Sequence, residues 1–379
     1  MYNNITKDKL YGDIGSERIY IMDFFSFLTL FGGLAIFLYG MNVMGDGLEK
    51  FSGSRLKSIL ENLTSSPIRG VILGTAVTAI IQSSSATTVM AVGFVNSGLM
   101  KLSQAIGIIM GANVGTTVTA WLLSLTGIES SNFFVRLLNP SSFAPILACA
   151  GIFLIMFTHS ERKHNLGSIF IGFGLLMTGM EFMSDSVRPL ADIPEFQNIL
   201  TLFKNPVLGV LTGALLTAVI QSSSASVGIL QALSVTGGIT YAAAVPIIMG
   251  QNIGTCVTAI LSAIGTSKNA KRTAAAHLLF NVIGTILFLL LYYIANAIFS
   301  FPFHASPINA AGIAMVHTIF NILSTVVMLP FARQLERLAY IVIPEDDIRE
   351  HHKLLDERLF MTPSIAVQRT KDVCDNMAM

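Results

Sequence analysis

Four polar side chains in a row, Gln82, Ser83, Ser84 and Ser85, stand inside TAIIQSSSATT (78–88), a stretch otherwise apolar enough for hydrocarbon. Gln221, Ser222, Ser223 and Ser224 stand in the same way inside TAVIQSSSASV (217–227). Serine hydroxyls and exposed backbone N–H groups at the start of a helix form a small anion-binding end. Two such ends facing each other would grip an oxyanion that takes many hydrogen bonds. A single serine cluster in an apolar helix reads first as glue between helices, but duplication overturns that reading. One offset of 139, without a gap, carries Gln82 to Gln221, Gly40 to Gly179, Asp46 to Asp185, Pro67 to Pro206, Gly74 to Gly213 and Asn113 to Asn252. It also carries IIMGANVGTTVTA (108–120) onto IIMGQNIGTCVTA (247–259). The chain contains an internal repeat.

The second repeated stretch suits a cation. Gly111, Gly115, Gly250 and Gly254 fall midway along apolar segments, where glycine permits unwinding. Unwound carbonyls, with side-chain oxygens of Asn113, Thr116, Thr117, Asn252 and Thr255, fit a hard ion such as sodium. The competing reading is that these glycines only let helices pack closely.

The setting follows from composition. Of 379 residues, 53% are hydrophobic and 12% charged, against roughly a quarter charged in a soluble domain, so the partner is a lipid bilayer. With 23 basic and 22 acidic residues, nothing points to nucleic acid. Cys149, Cys256 and Cys374 lie too far apart to suggest a disulfide framework or metal cluster. Seven runs reach or approach the ~20 apolar residues of a membrane span: 24–44, 103–127, 143–158, 165–184, 241–264, 273–299 and 308–331. The segments 67–82 with 86–100, and 206–221 with 225–239, are too short to cross comfortably and read as re-entrant hairpins with QSSS at the tips. The number of crossings between repeat starts is odd, so the second repeat is upside down relative to the first. The expected fold is an all-α polytopic membrane protein with inverted-topology repeats, each holding a re-entrant hairpin and a broken transmembrane helix. Its parts are an N-terminal extension (1–21), a first repeat (22–158), a second, inverted repeat (159–299), an additional transmembrane helix (300–337) and a cytoplasmic helical tail (338–379). Basic residues gather on one side, among them Lys50, Arg55, Lys57, Arg69, Lys101, Arg162, Lys163, Lys268, Lys271, Arg272, Arg333 and Arg337. Only Arg136, Arg188 and Lys204 lie between spans on the other. The first side is then cytoplasmic, and the C-terminus with it.

Two QSSS hairpins, each followed by a G-x-N-x-G-T segment, resemble the type II sodium-phosphate cotransporters, and MDFFSFLTLFGGLAIFLYGMNVMGDGLE from Met22 looks like the opening of their bacterial branch. The resemblance covers about 22–375, and LDERLFMTPSIAVQRTKDVCD (355–375) resembles the lead-in to a PhoU-like cytoplasmic domain of which most is lacking here. It implies sodium-coupled symport of inorganic phosphate across the cytoplasmic membrane, with Gln82 to Ser85 and Gln221 to Ser224 lining the substrate and ion sites. Asn113 and Asn252 join the substrate set. Thr116, Thr117, Thr255, Asn113, Asn252, Gln82 and Gln221 form the sodium set. Charge supports coupling: neither tip contains Lys or Arg, so a phosphate dianion needs accompanying cations, and moving two charges inward costs about 4 to 5 kcal/mol per 100 mV. The alternatives are transport of another oxyanion, phosphate export, or a sensor or channel on the same fold; an enzyme has no support. A homo-oligomer is left open. Asp46 and Asp185 read as interfacial caps before outer cation ligands. HLLFN (277–281) and HTIFN (317–321) read as polar glue before gating histidines, and PEDDIREHH (344–352) as a solvated helix start.

Overall fold

The structure is a computed structural model that describes residues 24–52, 66–125, 140–193, 196, 203, 205–345, 367 and 370–371. The extension 1–21, Arg55, Lys57, Arg136, Lys204, Cys374 and the tail beyond 345 apart from 367 and 370–371, with most of PEDDIREHH and the PhoU-like lead-in, lie outside the described residues. Twelve α-helices follow one another there: α1 (Phe24–Ser52), α2 (Pro67–Ile81), α3 (Ser84–Asn96), α4 (Leu102–Ser124), α5 (Pro140–Phe157), α6 (Glu161–Val187), α7 (Pro206–Ile220), α8 (Ser223–Ser234), α9 (Tyr241–Ser262), α10 (Lys268–Phe299), α11 (Ala310–Met328) and α12 (Ala332–Val342). Six segments are long and apolar enough to cross a membrane: those of α1, α4, α6, α9 and α10, and α11 continued through α12. This is a multi-pass membrane protein. Helix α5, 18 residues long and apolar, about 27 Å at ~1.5 Å per residue, covers 143–157 of the expected span 143–158.

The repeat is visible in how α1 meets α6. Both are rich in small residues, and glycine lets their backbones touch: a Cβ at Gly33 would press on the Gly179 carbonyl, and one at Gly40 on that of Gly172. Gly33 answers to Gly172 and Gly40 to Gly179 under the 139 offset, so each contact is the other's image. The pairing runs in opposite directions, so the two helices are antiparallel about a pseudo-twofold axis.

Helix α2 lies parallel to α4, and α7 parallel to α9, by the same device. A Cβ at Gly74 would strike the Ile108 carbonyl oxygen, and one at Gly111 that of Val71; at Gly213 and Gly250 the obstacles are Ile247 and Val210. Helices α2 and α7 have 15 residues each, about 22 Å at ~1.5 Å per residue, less than the ~30 Å hydrocarbon thickness. Each is followed by a shorter helix that turns back. The first hairpin begins beside Gly107 and ends where Asn96 Oδ1 accepts from the Ser267 N–H at 2.8 Å, at the end of the bundle where α4 and α10 start. The second begins and ends beside the start of α9.

Helices α10 and α11 flank α4 and α9. Helix α11 breaks at Leu329–Phe331, where Pro330 cannot continue the hydrogen-bond ladder, and α12 folds back over α4 and α10 with Leu335 and Ala339 buried. Arg272 pins it. That side chain is 1% exposed, donates from Nε to the Ile343 carbonyl at 2.9 Å, and stacks 4.0 Å over the Tyr340 ring. Arg272→Ala is expected to lower stability by about 2 to 4 kcal/mol through loss of the stack and the hydrogen bonds. It should also speed tryptic cleavage at Arg333 and Arg337; unchanged cleavage would show that α12 docks without it.

Candidate functional site

Both QSSS tips have the same backbone. Gln82 closes α2 at φ 59° and Gln221 closes α7 at φ 58°. Both lie in the left-handed region, which a residue other than Gly, Asn or Asp enters at about 1 to 2 kcal/mol. The next serine caps the outgoing helix: Ser83 Oγ accepts from the Ala86 N–H and Ser222 Oγ from the Ala225 N–H, both at 3.2 Å. The first-turn N–H groups of α3 and α8, at Ser84–Ser85 and Ser223–Ser224, have no intrahelical partner by construction. Each tip therefore has the expected form, an incoming helix ending at glutamine and an outgoing helix starting on the serines.

The tips differ in what surrounds them. Gln82 is 8% exposed; its Nε2 donates to the Ala79 carbonyl, and its Oε1 accepts from Thr119 Oγ1 at 2.8 Å. Gln221 is exposed and its side chain makes no hydrogen bond among the described residues. Behind the first tip, Thr78 Oγ1 donates to Thr87 Oγ1 at 2.9 Å, whereas the equivalent Thr217 and Ser226 hydroxyls are buried without partners. Gln251, standing where the first repeat has Ala112, takes the Ser226 carbonyl through Nε2 at 3.0 Å instead. The first tip also reaches the second repeat, with Ser85 Oγ 3.4 Å from Thr258 Oγ1. Thr119 and Thr258 are images of each other, and the sequence reading missed both as site residues. The signal was present: each lies one turn beyond Gly115 or Gly254, in the part of the repeated stretch that follows the glycines.

The expected broken helices are a correction. Helices α4 and α9 run without interruption through Gly111 and Gly115 and through Gly250 and Gly254. Close packing is what those glycines serve, because α2 and α7 lie so near that any side chain would meet backbone oxygen. Their carbonyls are therefore not set free by unwinding. Thr116, Thr117 and Thr255 donate their hydroxyls back to the Ala112, Val114 and Gln251 carbonyls at 3.0, 2.7 and 3.0 Å, as threonine does inside helices.

Asn113 and Asn252 point away from the glycine faces. Asn113 Nδ2 donates to Asn281 Oδ1 on α10 at 2.8 Å, and Asn252 Nδ2 to Asn321 Oδ1 on α11 at 3.1 Å. Thr285 Oγ1 donates to the Met249 carbonyl and Thr325 Oγ1 to that of Met110, both at 3.3 Å. Helices α10 and α11 thus carry the same stripe, His277-Asn281-Thr285 and His317-Asn321-Thr325, offset by 40 residues, and clamp α4 and α9 symmetrically. In HLLFN and HTIFN it is the asparagines, with His317, that join helices: Asn281 and Asn321 also donate within their own helices to the carbonyls of His277 and His317 at 3.0 and 2.8 Å, His317 Nε2 lies 3.3 Å from Asn252 Oδ1, and the ring nitrogens of His277 are buried without partners. Asp46 and Asp185 are exposed inside α1 and α6, so neither caps a helix end. Among the described residues, no group of His, Cys, Asp and Glu could hold a metal ion.

Comparison with known proteins agrees with this internal symmetry. A family model described as Na+/Pi-cotransporter matches residues 36–185 and again 175–323, and the two matches start 139 residues apart. Among similar proteins, YqeW of Bacillus subtilis, named only as an uncharacterized protein, is 31% identical over 82% of this chain and 96% of its own length. A protein of Escherichia coli named "Putative inorganic phosphate export protein YjbB" is 28% identical over 90% of this chain, which spans 60% of that relative. Rat sodium-dependent phosphate transport protein 2A is 36% identical over 25% of this chain and 15% of its own. No solved structure matches. With both matches falling on the two structural repeats, the chain belongs to the Na+/Pi-cotransporter family, a family of membrane phosphate transporters and not of enzymes.

Proposed function

We propose that the chain is a sodium-coupled symporter of inorganic phosphate, built as inverted-topology repeats whose two hairpins are re-entrant from opposite faces of the cytoplasmic membrane. Phosphate is held by Gln82 to Ser85 and Gln221 to Ser224, with Thr119 and Thr258 beside them. Sodium neutralises the anion at the same tips. The observation that carries this reading is the matched pair of glutamines at φ 59° and 58°. Glycine would relieve that strain at both positions, so a demand for the glutamine side chain is the simplest reason for its presence. The unequal burial of the two tips supports alternating access, with one side closed over Gln82 and the other open to Gln221. Helices α1, α5 and α6, packed chiefly on one another, offer the scaffold against which the hairpin units move.

Orientation follows the basic residues. The starts of α2, α4, α10 and α6 and the end of α1 carry Arg69, Lys101, Lys268, Arg162 and Lys50, and that end is assigned to the cytoplasm.

A symporter runs in either direction according to its gradients. The name of the E. coli relative favours phosphate export as a second reading of the same site. Purified protein in liposomes tests both. Phosphate should accumulate with an inward sodium gradient and, when phosphate and sodium are loaded inside, should leave with sodium. Transport indifferent to sodium would overturn coupling; binding without transport would replace the transporter by a sensor.

A further inference from the structure

We infer that the groove between α9, α10 and α11 is a binding site for one acyl chain of a membrane phospholipid. The groove has a volume of about 610 Å³, within the ~300 to 1,000 Å³ of small-molecule sites. Its floor is Val245, Met249 and Phe320, buried and apolar, and its lining is almost wholly hydrocarbon and aromatic.

The pseudo-symmetry says what such a groove requires. Leu102, Ile106 and Met110 of α4 answer to Tyr241, Val245 and Met249 of α9 under the 139 offset. Ala276 and Phe280 of α10 answer to Val316 and Phe320 of α11 under the 40 offset. The first set forms one packed cluster because α12 fills the space over it with Leu335 and Ala339. The second set lines the open groove. Two differences keep it open. Helix α10 has no proline at the point equivalent to Pro330, so it runs straight to Phe299 instead of folding in. Gly312 also stands where the filled groove has Arg272, the residue that pins α12. Among the described residues, the apolar surface that α12 covers at one end has no such cover at the other.

In a multi-pass membrane protein the surrounding solvent is hydrocarbon. The groove lies between membrane-length helices, and burying chain in it is worth about 0.8 kcal/mol per methylene wherever the alternative is water. Against the acyl region of a bilayer the gain is packing contact with a pre-formed slot. Its end beside the connection from α10 to α11 carries the polar and aromatic groups that favour the membrane interface: Tyr292 Oη lies 2.9 Å from His304 Nδ1, with Phe301 and Phe303 stacked alongside. That end faces away from α12, so the chain comes from the leaflet opposite to it.

The test uses the full chain in liposomes containing phosphatidylethanolamine with a diazirine at the middle of one acyl chain, photolysed and mapped by mass spectrometry. Adducts are expected on Val245, Met249 and Phe320, besides outward residues such as Ile286 and Ile298 that any surrounding lipid touches. Ala295→Trp, a filler at the position equivalent to Leu335, should cut the floor adducts about tenfold and leave those on Ile286 and Ile298 unchanged. Leu323→Trp is the second filler should the first not fold. Wild-type protein labelled only at the outward residues, as it would be with a second protein copy in the groove, overturns the inference. So do floor adducts that persist in a folded filler variant.

Discussion

Gln82→Gly and Gln221→Gly should each bring sodium-dependent phosphate uptake to background while leaving the protein folded, with Gln221→Gly about 1 kcal/mol more stable than the parent and Gln82→Gly about 1 kcal/mol less. The two effects separate because the backbone and the side chain want different things. At φ 59° and 58° glycine recovers about 1 kcal/mol of strain. For Gln221, whose exposed side chain makes no hydrogen bond among the described residues, nothing offsets that gain. For Gln82 the lost bonds to Thr119 Oγ1 and the Ala79 carbonyl cost about 1 kcal/mol each, which outweighs the gain by about 1 kcal/mol. A hydrogen bond to a charged substrate is worth about 1.5 to 3 kcal/mol, so each missing glutamine should weaken phosphate binding by about ten- to a hundredfold. Uptake into liposomes and thermal unfolding of the same preparations supply the two readings. Near-normal transport by both variants would sink the two-tip site. Lost transport together with a loss of stability well beyond about 1 kcal/mol would make the glutamines structural.

Gly111→Ala and Gly250→Ala should be among the most damaging single-methyl additions in the chain. Each Cβ would meet a backbone carbonyl oxygen, of Val71 or Val210, and a carbonyl engaged in its own helix cannot swing aside as a side chain could. The parallel pairs α2–α4 and α7–α9 must then separate, at a cost of more than about 3 kcal/mol. Gly32→Ala is the control, because nothing stands within 4 Å of its Cβ. There alanine should stabilise α1 by about 0.5 to 1 kcal/mol. The fraction of monodisperse protein on size exclusion and the unfolding midpoint measure both. If Gly111→Ala behaves like Gly32→Ala, the close approach of α2 to α4 is wrong.

The duplication, the length of the spans, the shortness of the hairpin arms and the place of the turns at Gln82 and Gln221 were all legible in the sequence. They depend on local matters: an offset repeated without a gap, apolar run length against bilayer thickness, and polar residues bounding a short helix. The reading of Gly111, Gly115, Gly250 and Gly254 as points of unwinding failed because a glycine in an apolar helix has two uses, a broken backbone or a close neighbour. Only the position of α2 and α7 distinguishes them. Thr119 and Thr258 were visible as repeated residues, but their place beside the first tip depends on where that tip lands on α4 and α9. The second relation, by which α10 and α11 carry matching His-Asn-Thr stripes 40 residues apart, escaped the 139-residue period altogether. It pairs the end of one repeat with the helix after it; HLLFN and HTIFN were visible in the sequence, but their matching place in the clamp became evident only when Asn113 met Asn281 and Asn252 met Asn321 in space. What the sequence by itself determined is a repeated, membrane-embedded chain with two polar turns. The tertiary structure decided which faces of α4 and α9 serve the tips and which serve the clamp, because that depends on the helices packed around them and not on any residue's own preference.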